Sequence, residues 1–296
     1  MDGIIIIDKE KGFTSHDVVA KMRGMLHQKR IGHTGTLDPL ATGVLPVLLG
    51  RATKLSELLT ADSKTYETEL LLGITTDTLD VSGNVLTENE APTDVAAVRE
   101  AALSFVGSYD QIPPMYSAIK VGGKKLYELA RAGKETERPA RHVTIEDIEI
   151  LEINLPTVRF RVSCSKGTYI RSLCDDIGKR LGCGAAMKEL RRVRSGSFDE
   201  GRAVTLGELQ RLIDEGREAD AVLSIGEALS DYPVFVVDAA HEKALKNGNE
   251  LRTSWGSGSI SERGVLVCSE TGELVGIYRE SKKGFLKPYK MLTGND

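Results

Sequence analysis

Apolar and polar positions recur along this chain with distinct periods, and each period predicts an element. Residues 4–7 are an unbroken apolar run of strand length between Asp2 and Asp8, as in a strand buried on both faces. Val18, Val19, Met22 and Leu26 share helical spacing behind Thr14 and Ser15, either of which can cap a helix. Residues 44–49 predict a strand, 52–59 a short helix and 64–72 another strand, whereas 77–84, polar and holding Gly83, predict a loop. Residues 93–105 read as a capped, Ala-rich helix. Residues 115–121 read as a strand, turned by Gly122 and Gly123 into a helix over 125–132. Period two returns over 142–153, and Val158, Phe160 and Val162 alternate with Arg159 and Arg161 as in a half-buried strand. A helix starting at Thr168 would set Ile170, Leu173, Ile177 and Leu181 on one face. Residues 189–198 predict a basic strand, and 205–229 an acidic helical stretch. After Tyr232-Pro233 the pattern predicts strands at 234–237, 264–268 and 274–278, a helix at 239–245 and a hairpin turn at 269–272. This change sets a boundary near residue 231, between a domain over 1–231 and a small β-rich one over 232–296.

Composition narrows the class. The chain has 296 residues, 41% hydrophobic and 28% charged, with a net charge of −4. That excludes a disordered chain, a fibre and a histone-like polycation. The charge is uneven: 61–109 carry net −7, 110–195 net +6 and 196–231 net −6. The basic segment ends in Lys188, Arg191, Arg192 and Arg194, a local attraction for a polyanion or a solvated charged face. Cys164, Cys174, Cys183 and Cys268 form no C-x-x-C pair, and no His stands at zinc-ligand spacing from them. No export signal or membrane span is visible, so a cytoplasmic location is expected.

The densest chemistry lies at residues 32–43. Three glycines and Pro39 make a loop that can approach a ligand closely, and Asp38 stands at its centre near Lys29, Arg30 and His33. A carboxylate there can be nucleophile, base or metal ligand, or simply an Asx-turn before proline. The chain has no G-x-x-x-x-G-K-[ST], no G-x-G-x-x-G and no H-E-x-x-H. No metal and no cofactor are expected.

The run from Gly32 through Asp38 to Pro46 strongly resembles the catalytic motif of the bacterial TruB-type tRNA pseudouridine synthases. Further blocks follow in family order. They are Asp8-Lys9 with Gly12, Thr14 and Ser15; Lys64-Thr65-Tyr66; Gly73 with Thr75, Thr76, Asp77 and Thr78; residues 111–118; residues 167–173; Leu190-Arg191-Arg192; and Ser195-Gly196. The family commonly has proline where this chain has Glu10, which bears on the loop shape there and on the contact made by Lys9. The tail from about residue 233 resembles, more weakly, the RNA-binding PUA module of the family.

The resemblance implies an α+β fold: a mixed, mainly antiparallel catalytic sheet followed by a small β-rich PUA-like module. It implies isomerisation of uridine 55 in the TΨC arm of tRNA, with tRNA as partner, no protein partner and a monomeric enzyme. Asp38 would be the nucleophile, paired through two contacts with Arg171. Tyr66 would stack on the flipped uracil and help remove its C5 proton, Tyr169 would touch base or sugar, and Leu190 would seal the pocket. His33 would stack in the vacated space, and Lys9, Lys188, Arg191, Arg192 and Arg194 would meet RNA. Tyr66 and Leu190 are equally at home in a core, and Arg171 on a helix surface. A synthase acting on another RNA, with a guide-RNA complex, is a rival, as is an RNA-binding or tRNA-folding protein with secondary catalysis.

Overall fold

Two sheets carry the chain in the computed structural model, which describes residues 1–60, 63–134 and 136–293. The larger has ten strands drawn from residues 3 to 223. Across it run Val222–Leu223, Gly3–Lys9, Thr42–Leu49, Ala185–Ser195, Lys64–Leu72, Thr157–Cys164, Arg141–Asn154 and Gly107–Gln111, with Ile31–His33 and Phe198–Asp199 paired alongside. Its strand pairs are antiparallel except one: Thr42–Leu49 runs parallel to Ala185–Ser195, with Arg192 opposite Gly43. A Cβ at Gly43 would meet the Arg192 carbonyl oxygen at 2.3 Å, and φ there is +96°. Glycine is what lets these two strands close.

Burial follows the sequence periods. Lys64–Leu72 alternates buried and half-buried positions along its whole length, as one covered face requires. Thr42–Leu49 is almost continuously buried, matching its unbroken apolar run. Helix Ser15–Met25 begins with a capping box in which Thr14 and Asp17 satisfy each other's backbone N–H, and it buries Val18, Val19 and Met22. Helix Ile170–Arg180 lays Ile170, Leu173, Cys174 and Ile177 onto the sheet. Gly178 permits the approach, since a Cβ there would stand 2.2 Å from the Ala185 nitrogen.

Several stretches differ from expectation. Of the strand expected at 115–121 only Lys120–Val121 forms, paired with Lys124–Lys125. Before it the chain folds back, Ser117 N–H donating to the Met115 carbonyl at 2.9 Å, so that a side chain elsewhere takes the Tyr116 carbonyl. The helical stretch expected over 205–229 is split, because Gly216 adopts φ +69° after helix Leu206–Asp214. It is followed by a 3₁₀ turn at Glu218–Ala221, strand Val222–Leu223 and helix Ile225–Ala228. Gly107–Gln111 and the hairpin Ile74–Thr76/Val85–Glu88 were not expected, being too polar for visible alternation.

The smaller sheet has six strands, in the order Leu251–Arg252, Phe285–Met291, Leu274–Lys282, Val265–Ser269, Val234–Val237 and Gly256–Gly258. It does not hang on a tether. Leu266, Ile277 and Leu292 share one apolar cluster with Ile4, Ile6, Val44, Leu48 and Leu55. Lys290 pairs with Glu57 at 3.0 Å, and Arg51 donates to the Leu292 carbonyl at 3.3 Å.

Candidate active site

Asp38 lies on the loop between Ile31–His33 and Thr42–Leu49, and that loop is fastened at successive points. Leu37 N–H donates to Ser15 Oγ at 2.8 Å, Gly12 N–H to the Pro39 carbonyl at 2.8 Å, and Thr34 N–H to the Pro46 carbonyl at 3.1 Å. Leu37 and Ala41 point inward and are buried. The Asp38 carboxylate is left 39% exposed between them.

Arg171, at the start of helix Ile170–Arg180, meets that carboxylate with the side chain 4% exposed. One Nη stands 2.9 Å from Asp38 Oδ2. The sequence suggested a two-point fork; the geometry gives one contact, because Nη1 donates to the Thr78 carbonyl at 3.0 Å and Nη2 to the Tyr116 carbonyl at 2.9 Å. Those bonds fix the guanidinium plane. A second carboxylate, Asp80, stands 3.9 Å from Nη1 and is itself buried, accepting from Thr78 Oγ1 at 2.9 Å and Ser82 N–H at 3.0 Å. Sequence reasoning missed Asp80: in a polar loop an aspartate that turns inward looks like any turn aspartate. Gln111 was visible only as the first residue of the block 111–118, with no role attached. The Gln111 amide accepts from Tyr169 N–H at 2.8 Å and donates to the Tyr169 carbonyl at 3.1 Å, holding a helix start that lacks a side-chain cap.

Asp38, Arg171, Tyr66, Tyr169 and Leu190 line one cavity of about 420 Å³, within the range of small-ligand sites. Tyr116, Tyr127, Lys64 and Lys166 also reach its wall. Tyr66 sits mid-strand, opposite Val162 on one side and Arg192 on the other. Burial raises its phenol, with the Arg192 charge pulling the other way. Burial also raises Tyr169. His33 does not line the cavity; it is half-buried in register with Val47, and burial first, then the Arg192 charge, disfavour its protonated form.

The five cations expected to meet RNA divide. Lys188, Arg191 and Arg194 are at the surface, Lys188 paired with Glu69 at 2.7 Å and Arg191 with Asp8 at 3.0 Å and with Glu200. Lys9 and Arg192 are buried instead, a correction with a clear cause, for backbone carbonyls claim both side chains. Lys9 Nζ donates to the Phe13 carbonyl at 2.7 Å and the Glu10 carbonyl at 3.0 Å. Burial brings Lys9 down to about 8, with the Asp38 charge acting against it. Arg192 donates from Nε to the Val44 carbonyl at 2.7 Å and from Nη2 to the Gly35 carbonyl at 3.3 Å. Burial pushes the Cys164 and Cys174 thiols up to about 12, which leaves them unreactive. Among the described residues no three His, Cys, Asp or Glu side chains converge as a metal site, and no helix is long and apolar enough to cross a membrane.

Two family models match this chain. The TruB family pseudouridylate synthase N-terminal domain covers residues 23–170, and the tRNA pseudouridylate synthase B C-terminal domain covers 171–230. The site straddles them, with Asp38 in the first and Arg171 opening the second. The chain is 43% identical over 305 residues to a tRNA pseudouridine synthase B of Bacillus cereus, covering 100% of this chain and 98% of the relative. It is 50% identical over 269 residues to that of Alkaliphilus oremlandii, covering 90% and 89%. Among solved structures, it superposes on a chain of an H/ACA RNP bound to a substrate RNA containing 2'-deoxyuridine, with TM-score 0.76 and 27% identity, over 99% of this chain and 86% of that one. A chain of a Cbf5-Nop10-Gar1 complex gives TM-score 0.76 and 29% identity, over 98% and 85%.

Proposed function

The chain belongs to the TruB family of pseudouridylate synthases, and on that premise we propose that it isomerises uridine 55 in the TΨC arm of tRNA, with Asp38 as nucleophile. The observation that carries this reading is the half-open Asp38 carboxylate held 2.9 Å from the fixed Arg171 guanidinium in a cavity walled by Tyr66. Pure binding of RNA does not call for a carboxylate aimed into such a cavity.

The chemistry follows from these groups. Unstacking the target uridine costs a few kcal/mol, which contacts in the cavity offset. Tyr66 stacks on the flipped uracil, Tyr169 meets base or sugar, and His33, set outside the cavity wall, stacks in the space the base has left. Asp38 forms a covalent bond to the ribose or to the base, and the N1 glycosidic bond breaks. The uracil turns, C5 joins the ribose carbon, the bond to Asp38 breaks, and Tyr66 helps remove the C5 proton while N1 takes one up from solvent. Leu190 keeps water from the intermediate. The isomerisation involves no net redox change, so no cofactor is needed.

Lys188, Arg191 and Arg194 meet phosphates, and residues 232–293 act as a PUA-like RNA-binding module. On this reading the enzyme works as a monomer in the cytoplasm without a protein partner. The purified protein should convert one loop uridine of an unmodified TΨC stem-loop to pseudouridine, mapped by sequencing after carbodiimide modification. Conversion should vanish when that uridine is replaced by cytidine. Conversion at another uridine, or binding without conversion, would overturn the assignment.

A further inference from the structure

Arg192 is the one buried arginine of the site with no carboxylate beside it. It is 1% exposed. Arg191, next along the strand, pairs with Asp8 and Glu200, and Arg171 pairs with Asp38. Among the described residues Arg192 donates only to uncharged groups, the Val44 and Gly35 carbonyls, and the Tyr66 phenol faces it from the neighbouring strand. A buried charge without a counter-ion is strongly disfavoured, and holding two backbone carbonyls does not require one, since neutral donors can do that. Tyr66 is the one partner whose state the charge can change. Arg192 and Tyr66 are directly opposed across paired strands, and both line the cavity.

We propose that Arg192 is a positioning residue that acts through Tyr66, donating a guanidinium N–H to the phenolic oxygen and favouring its anionic form so that this oxygen can accept the C5 proton in the last step. The inference rests on the proposed reaction. In that step the C5–H electron pair returns to the uracil ring, restoring its C5–C6 double bond. The phenolate of Tyr66 takes the proton and later passes it to solvent.

The other groups around Tyr66 do not supply this effect. Cys164 on the adjoining strand and Asp38 across the cavity disfavour the phenolate. Arg171 is engaged with Asp38, and Lys64 donates to the Thr60 carbonyl at 2.8 Å. Lys166 and the Tyr116, Tyr127 and Tyr169 rings complete the wall. Burial raises the Tyr66 phenol, and the Arg192 charge opposes that.

The test begins with parent protein that has been shown to form pseudouridine, so that failure of the reaction itself is seen separately. Tyrosines labelled at 13Cζ are titrated in the parent, in Arg192→Gln and in Arg192→Lys, with Tyr66→Phe assigning the signal. In Arg192→Gln the Tyr66 midpoint should rise by about one unit or more, and in Arg192→Lys by less. The turnover rate of Arg192→Gln should fall roughly ten-fold or more at neutral pH, keep climbing at alkaline pH where the parent has levelled, and become sensitive to deuterium at C5. In a Tyr66→Phe background the same substitution should change the residual rate by about two-fold or less. An unchanged midpoint in folded Arg192→Gln, a midpoint in Arg192→Lys raised as far as in Arg192→Gln, or an equal loss in both backgrounds would leave Arg192 a backbone anchor only and overturn the proposal.

Discussion

The two sheets of this molecule are built to different rules. In the larger one the core admits charge: Lys9, Lys64, Asp80, Arg171, Asp175 and Arg192 are all buried. In the smaller one Phe235, Val237, Val265, Val267, Val275, Ile277 and Leu286 are buried, and among the described residues Ser269 is the buried polar side chain of its strands. Burying an ion costs several kcal/mol unless it is closely partnered. Lys64, Arg171 and Arg192 line the cavity, and Asp80 stands 3.9 Å from Arg171, so much of this cost falls at the candidate site. The smaller sheet then supplies apolar surface that covers Ile4, Ile6 and Leu48 from behind.

The contrast can be broken first at Arg171. Arg171→Met should lower turnover by roughly a hundred-fold or more. It should also destabilise the protein by about 3 kcal/mol, because it leaves Asp80 buried without its cation; denaturant melts and single-turnover rates check both. Ile277→Ala, in the other sheet, should cost about 2–4 kcal/mol in the same melts while leaving turnover at 25 °C within about two-fold. A large catalytic loss there would mean that the smaller sheet is part of the site. Arg194→Ala should weaken tRNA binding evenly across sequences and lower the slope of log Kd against log salt by about one. Smallest of all is Asp176. Burial raises its carboxyl from 3.8 to about 6, against the opposing charge of Lys179. The folded state therefore holds this proton more tightly than the unfolded chain. The associated stability is present below about pH 4 and is lost as pH rises through about 6. Asp176 is partly open to solvent, so Asp176→Asn should gain about 1 kcal/mol at pH 7.5 and nothing at pH 3.5 in paired melts.

Much of this was legible before any coordinates. Lys64–Leu72 matched its expected bounds, since alternation and β-propensity agree there. The Thr14 cap was visible because a capping box is local. Asp38 stood out because glycine and proline surround it. What was not legible depends on distant chain. That Arg192 turns inward and Arg191 outward follows from one parallel pairing with Thr42 and Gly43, some 150 residues earlier in sequence, and nothing in Leu-Arg-Arg-Val-Arg marks which arginine is buried. Lys9 looked like a surface cation until the Phe13 carbonyl claimed it. Residues 115–119 have strand propensity, yet their backbone is taken by Arg171 and by their own turn.

The central claim is that Asp38 opens the reaction at one loop uridine. Its most direct test is tritium release from a TΨC stem-loop labelled at uridine C5, with parent protein and Asp38→Asn side by side. The account predicts release by the parent from that uridine alone. It predicts none above background from Asp38→Asn, which should still bind the stem-loop and melt with the parent. Release by the variant at a rate near that of the parent would contradict it, and another group would have to be the nucleophile.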